Sequence, residues 1–177
     1  IFGALLSSFV VACYGEGLFS ELKQTLTVSA SPTGKVSLIA GKDEITVTWG
    51  LNSTSTKTTN YKNVEVKLCY LEESQKDRPW RRTEDDLKRD KTCQFLVAEK
   101  EFTTKDDTVT YQVKKDVPSA HYFIRAYVSD GPKGKLIAYG QTTGLDLKVK
   151  GISGRSLAIR RRCFGFLLGF PVLSPCV

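Results

Sequence analysis

From residue 25 onward the apolar positions recur with a period of two. The segments TLTVSAS, EITVTW, VEVKLCY, CQFLVAE, TVTYQVKK, HYFIRAYVS, KLIAYGQT and LDLKV alternate or run with β-branched and aromatic residues, and Gly, Pro, Asn and Asp clusters separate them. The pattern predicts about eight short strands and little helix. Such a series implies an all-β, immunoglobulin/fibronectin-like β-sandwich, here over residues 22–150. Two residues sharpen that expectation. Ile45, Val47 and Trp49 fall on one face of a strand, where a buried Trp fills the space between sheets. Tyr122 follows Pro118 by four residues, the spacing of a tyrosine corner.

One stretch breaks the alternation. CYLEESQKDRPWRRTEDDLKRDKTC, Cys69 to Cys93, holds seven acids and seven bases in 25 residues. Within it RTEDDLKRD is compatible with a short helix: Thr83 is placed as N-cap, the acids fall in the first turn and the bases later. Pro79 and Trp80 precede that helix, so Trp80 and the pair Arg81 and Arg82 are expected on display at its start. Exposed Trp and Arg are the residue types of binding hot spots. The plainer alternative is a solvated helix with Trp80 folded back on the sandwich, and Trp80 decides between the two.

The five cysteines sort by position. Cys13 lies in the apolar leader and Cys163 and Cys176 in the C-terminal segment, which leaves Cys69 and Cys93 as the pair in the folded part. Closing that loop contributes about 3.5 kcal/mol in the chain-entropy account. In VEVKLCY the apolar set is Val64, Val66, Leu68 and Tyr70, so Cys69 shares a face with Glu65 and Lys67 and the bridge is expected on the outer side. It would fix the separation of the two ends of the charged insert.

The formal charge of +7 invites a nucleic-acid reading, and its placement argues against one. Residues 1–130 carry 18 bases and 18 acids, and the last 47 residues carry eight bases against Asp146 alone. The excess belongs to the end of the chain, where it suits an anionic lipid surface. Residues 1–17 read as the remnant of a signal peptide, with an apolar run from Ile1 to Cys13 followed by small residues. Asn52, Ser53 and Thr54 form a glycosylation acceptor. Leader, paired cysteines and sequon together imply the secretory pathway.

Catalytic chemistry has little to build on. His121 is the single histidine, read as a surface residue; no serine sits in a G-x-S-x-G turn, and no phosphate-binding glycine loop occurs. Asp85 and Asp86 are adjacent and would not face each other on a helix. Gly131 and Gly134 in DGPKGK read as a hairpin turn. The expectation is a chain that is not an enzyme and uses no cofactor or metal.

The segments LTVSASP, AGKDEITVTWGLNST, YKNVEVKLCY, SQKDRPWRRTEDDLKRDKTCQF, DVPSAHYFIRAYVSD, IAYGQTT and GISGR, in that order over about residues 22–156, resemble the plant high-affinity nitrate transporter-activating, or nitrate transport accessory, proteins. The resemblance implies a non-enzymatic accessory subunit with an outward-facing β-domain at the plasma membrane. It also implies a hetero-oligomer with a high-affinity nitrate transporter of the major facilitator class, through which nitrate itself would cross. By that motif Trp80, Arg81, Asp85, Asp86 and Asp90 are the positions expected to contact the carrier, with Arg125 a lesser candidate. The alternatives are a secreted, disulfide-bridged sandwich for another extracellular ligand and a lipid-surface protein using its basic tail.

The resemblance also implies a C-terminal membrane anchor, and here residues 151–177 differ from it. Arg160 to Arg162 precede the apolar stretch from Cys163 to Val177, whose 15 residues span about 22 Å as helix against a hydrocarbon core near 30 Å. Pro171 and Pro175 interrupt it. This segment is expected to be a divergent or truncated anchor.

Overall fold

The computed structural model describes residues 17–52, 60–132 and 134–152. Ten strands run in chain order: β1 (Lys23–Gln24), β2 (Leu26–Ser31), β3 (Lys35–Ile39), β4 (Glu44–Leu51), β5 (Asn63–Tyr70), β6 (Cys93–Glu101), β7 (Asp107–Gln112), β8 (Ala120–Ser129), β9 (Leu136–Gln141) and β10 (Asp146–Lys150). They form two sheets. In the smaller, β4 lies between β2 and β7, antiparallel to both. In the larger, β8 is central: β5 pairs along one edge, while the other edge is shared by β9 and β10. β6 pairs with the far side of β5, and β1 and β3 add parallel to β9 and β10.

Alternation explains the core. Ile45, Val47 and Trp49 of β4 are buried with Val64, Val66 and Leu68 of β5 and with Tyr122, Ile124, Ala126 and Val128 of β8. Trp49 is core, as its face implied, and the Tyr122 hydroxyl donates to the Pro118 carbonyl at 2.8 Å, closing the tyrosine corner. The sheets approach closely at Gly140 of β9, where a β-carbon would collide with the Leu26 backbone. Only a glycine fits there. The β8–β9 connection turns at Gly131 and Gly134, whose amide donates to the Gly131 carbonyl at 2.9 Å.

Two strands were not in the alternation. β1 is two exposed polar residues with no periodic signal, and β3 is a short segment recruited to β10 by five parallel register pairs. The expected helix over RTEDDLKRD does not form. The helical pieces of the insert are single 3-10 turns at Glu72–Ser74 and Pro79–Arg81, and residues 82–90 hold turns and bends without a helix. No helix among the described residues is long and apolar enough to cross a membrane. Three expectations fall wholly or partly outside the described residues: the leader over positions 1–16, Ser53 and Thr54 of the sequon, and the tail from residue 153.

Candidate functional site

The insert leaves β5 at Tyr70 and returns to β6 at Cys93. Cys69 and Cys93 are cross-strand partners in register, and a disulfide joins them across a Cα–Cα distance of 4.0 Å. The bridge lies on the outer face of the large sheet, as the strand pattern implied, yet Cys69 is fully buried. Its surroundings account for this. The outer face carries Arg125, Tyr127 and Tyr139, and the Tyr127 hydroxyl donates to Cys93 Sγ at 3.5 Å.

Arg125 is the centre of that outer cluster. Its guanidinium carbon lies 4.5 Å from the ring centre of Phe19 and 5.1 Å from that of Phe123, and Tyr127 and Tyr139 lie at 5.9 Å. Nε and Nη2 donate to Gln141 Oε1 at 3.2 and 3.0 Å, and Nη1 donates to the Tyr127 hydroxyl at 3.1 Å. At 7% exposure Arg125 is a packed residue. Burial raises the Tyr127 hydroxyl above the ordinary tyrosine value; Arg125 opposes that rise and Asp90 adds to it.

Phe19 reaches Arg125 because the N-terminal segment is tied to the insert. Leu18 and Asp86 form an antiparallel bridge, the Phe19 amide donates to the Asp85 carbonyl at 2.7 Å, and the Leu87 amide donates to the Gly17 carbonyl at 3.2 Å. The Asp85 carboxylate accepts from the Ser20 amide at 2.8 Å and from the Ser20 hydroxyl at 2.9 Å. The insert is therefore a cap fastened at both margins.

The remaining acids explain why no helix forms. Asp90 Oδ1 accepts from the Thr92 hydroxyl at 2.6 Å, the Thr92 amide at 3.1 Å and the Glu84 amide at 3.3 Å. Asp86 Oδ1 accepts from the Lys88 amide at 3.0 Å. Thr83 donates its hydroxyl and amide to Gln75 Oε1 at 2.9 and 3.1 Å instead of capping a helix. The Asp86 carboxylate thus takes the Lys88 amide, which a helix would direct to the Glu84 carbonyl, and Gln75 holds Thr83 away from a capping role.

Trp80 and Arg81 part company. Trp80 is 61% exposed, the most exposed of the large apolar residues among those described, while the Gln94 side chain donates to its carbonyl at 2.8 Å and steadies the turn. Arg81 is 8% exposed, and so it is not displayed beside Arg82 as the sequence suggested. Its guanidinium carbon sits 4.4 Å from the Tyr70 ring centre, and Tyr70 stacks on Tyr122 at 5.0 Å with Phe95 edge-on to both. The Pro79–Arg81 turn swings one side chain outward and the next over an aromatic end of the core, where a cation is attracted to the ring face.

His121, expected at the surface, is half-buried, with its Nδ1 2.7 Å from Asp146 Oδ1. Among the described residues no three His, Cys, Asp or Glu side chains gather as a metal site. Of the positions expected at a carrier interface, the structure brings Trp80, Arg81, Asp85, Asp86 and Asp90 together in one capped loop, with Arg125 beneath it. The role of Ser20 and Phe19 as fasteners had no periodic signal in the sequence.

The sequence profile of the NAR2 family, described as high-affinity nitrate transporter accessory, Ig-like domain, matches residues 19–154. A probable high-affinity nitrate transporter-activating protein 2.2 of Oryza sativa subsp. japonica is 40% identical over 164 residues, covering 89% of this chain and 77% of the relative. High-affinity nitrate transporter 3.1 of Arabidopsis thaliana is 39% identical over 175 residues, covering 90% of this chain and 83% of the relative. A solved Niemann-Pick type C2 protein from Japanese carpenter ant is 18% identical with a TM-score of 0.36, over 72% of this chain and 95% of that one, a slight likeness.

Proposed function

This chain belongs to the high-affinity nitrate transporter accessory family, and we propose from that premise that it is a non-enzymatic subunit that binds a high-affinity nitrate carrier of the major facilitator class and activates or stabilises it at the plasma membrane. The family match across residues 19–154 carries this reading. The insert supplies the surface. It is fastened by the disulfide and by Asp85 to Ser20 and shaped within by Asp90 to Thr92, and it leaves Trp80, Arg82, Lys88 and Arg89 exposed.

A surface fixed before binding avoids the ordering cost of a loose loop. Trp80 would supply a buried anchor on association, and the surrounding charges would set register more than affinity. In this reading Asp85, Asp86 and Asp90 act by holding the loop in shape, and Arg81 and Arg125 act from beneath it. Residues 1–17 serve as a secretory leader, the β-domain over 22–150 faces outward with Asn52 as a glycan acceptor, and the basic, apolar residues 151–177 hold the chain to the membrane surface. Nitrate crosses through the carrier.

The test is co-purification from membranes with a co-expressed high-affinity nitrate carrier. The wild-type chain is expected to recover the carrier and Trp80→Ala to recover much less. Failure of the wild-type chain to recover any such carrier would reject the accessory role; equal recovery by Trp80→Ala would reject the surface alone.

A further inference from the structure

A cavity of about 280 Å³ opens where the insert meets the start of β8 and the end of β10. Its lining is strongly one-sided in charge. Arg78 and Arg81 enter from the insert and Lys148 and Lys150 from β10, with His121 between them and Glu73 as the only carboxylate among the described lining residues. Among the described residues none of these four cations makes an ion pair. His121 is already engaged with Asp146.

Arg81 makes the cavity more than a basic patch. It is more than nine-tenths buried, its Nε has no partner, and its one side-chain hydrogen bond is a long one, 3.4 Å from Nη1 to the Ser74 carbonyl. A buried guanidinium with most of its donors unused is costly unless something accepts from it. The Tyr70 ring covers one face of the guanidinium and offers no acceptor in its plane. Because Arg81 lines the cavity, its remaining amino donors are suited to a planar group with paired oxygens, which a guanidinium receives through two parallel N–H···O bonds.

We propose that this cavity is a binding site for a small planar oxyanion, of the nitrate or carboxylate kind, received by Arg81 and held in the field of Arg78, Lys148 and Lys150. The volume exceeds that of such an ion alone, so the site takes it with part of its hydration, since each water occupies about 30 Å³. A site so accessible to solvent binds weakly and discriminates by shape: trigonal oxyanions are preferred to a spherical halide of equal charge. This inference stands apart from the carrier-binding reading, because Trp80 is not among the residues that line the cavity.

The experiment is a titration of the full, secreted, isotopically labelled chain followed by backbone amide NMR shifts. Sodium nitrate, sodium acetate and sodium chloride are added in parallel at matched ionic strength, up to about 100 mM, where a site of millimolar Kd saturates. Nitrate or acetate is expected to move the amides of Ser74, His121 and Lys148 along saturating curves, and chloride is expected to move them less and without saturation. The tighter of the two oxyanions assigns the site to a free inorganic ion or to a carboxylate.

Lys148→Gln with Lys150→Gln changes two exposed side chains and is expected to weaken binding by about fivefold, since partly solvated charges contribute modestly. Arg81→Lys keeps the charge and removes the fork, so the preference for a planar ion over chloride is expected to vanish. Identical curves for all three salts, or no saturating shift, or full affinity in the double lysine variant, would each overturn the proposal.

Discussion

The Asp85 carboxylate binds Ser20 twice, one oxygen accepting the backbone amide and the other the hydroxyl, across 65 residues of chain. That contact joins the segment before the first strand to the insert between the fifth and sixth, and it brings Phe19 onto Arg125. Asp85→Asn retains the shape but offers a single acceptor oxygen. The expected outcome is a loss of about 1 kcal/mol of local protection at the Phe19 and Ser20 amides, with the core strands unaffected. Native-state hydrogen exchange reads both.

Arg81 and Tyr70 yield a contrast between two substitutions. Arg81→Met keeps a long side chain over Tyr70 and removes a buried charge that has no acidic partner among the described residues. Stability is expected to hold within about 1 kcal/mol or to rise. Arg81→Ala uncovers the ring and leaves a void, costing about 2 kcal/mol or more. Urea unfolding of the two variants measures the difference.

Some of this was legible in the chain and some was not, and the division follows the range of the interactions. Trp49 and the Tyr122 corner were readable because alternation and a four-residue spacing are local facts. The Cys69–Cys93 bridge was readable because the flanking strands pair with each other. Propensity and dipole favour a helix over RTEDDLKRD, but Gln75 binds Thr83 and Asp86 captures the Lys88 amide in a turn, contacts that no local pattern announces. The burial of Arg81 depends on a single 3-10 turn that aims it at Tyr70, and residue type alone carries no trace of that direction. The Ser20–Asp85 clasp is polar and distant, so no period announces it.

Replacing Cys69 and Cys93 together by Ser is expected to lower stability by about 3.5 kcal/mol if loop entropy dominates. The Asp85–Ser20 and Asp90–Thr92 contacts also restrain the loop, so the outer cluster around Arg125 should survive in part. The midpoint of denaturant unfolding gives the first quantity, and the near-ultraviolet circular dichroism of Tyr127 and Tyr139 reports the second.

Three tyrosines set the alkaline limit. Burial raises Tyr111, Tyr122 and Tyr127 above the ordinary value near 10, most strongly Tyr122. Unfolding lets them ionise at that ordinary value, so their contribution is fully present below about pH 10 and is lost as pH rises toward the folded-state values. Stability should be insensitive to these groups at neutral pH and fall above about pH 10 by up to about 1.4 kcal/mol per pH unit for each tyrosine. Unfolding midpoints measured between about pH 8 and pH 11, expected to be roughly level and then to drop, check the sign.

The fastened insert is proposed to meet the nitrate carrier through Trp80. A photo-crosslinking amino acid placed at Trp80, and in a parallel sample at Thr110 on the exposed side of the small sheet, tests it in membranes containing the carrier. A crosslink to the carrier is expected from Trp80 and none from Thr110. A complex that forms normally yet crosslinks from Thr110 and not from Trp80 would contradict it.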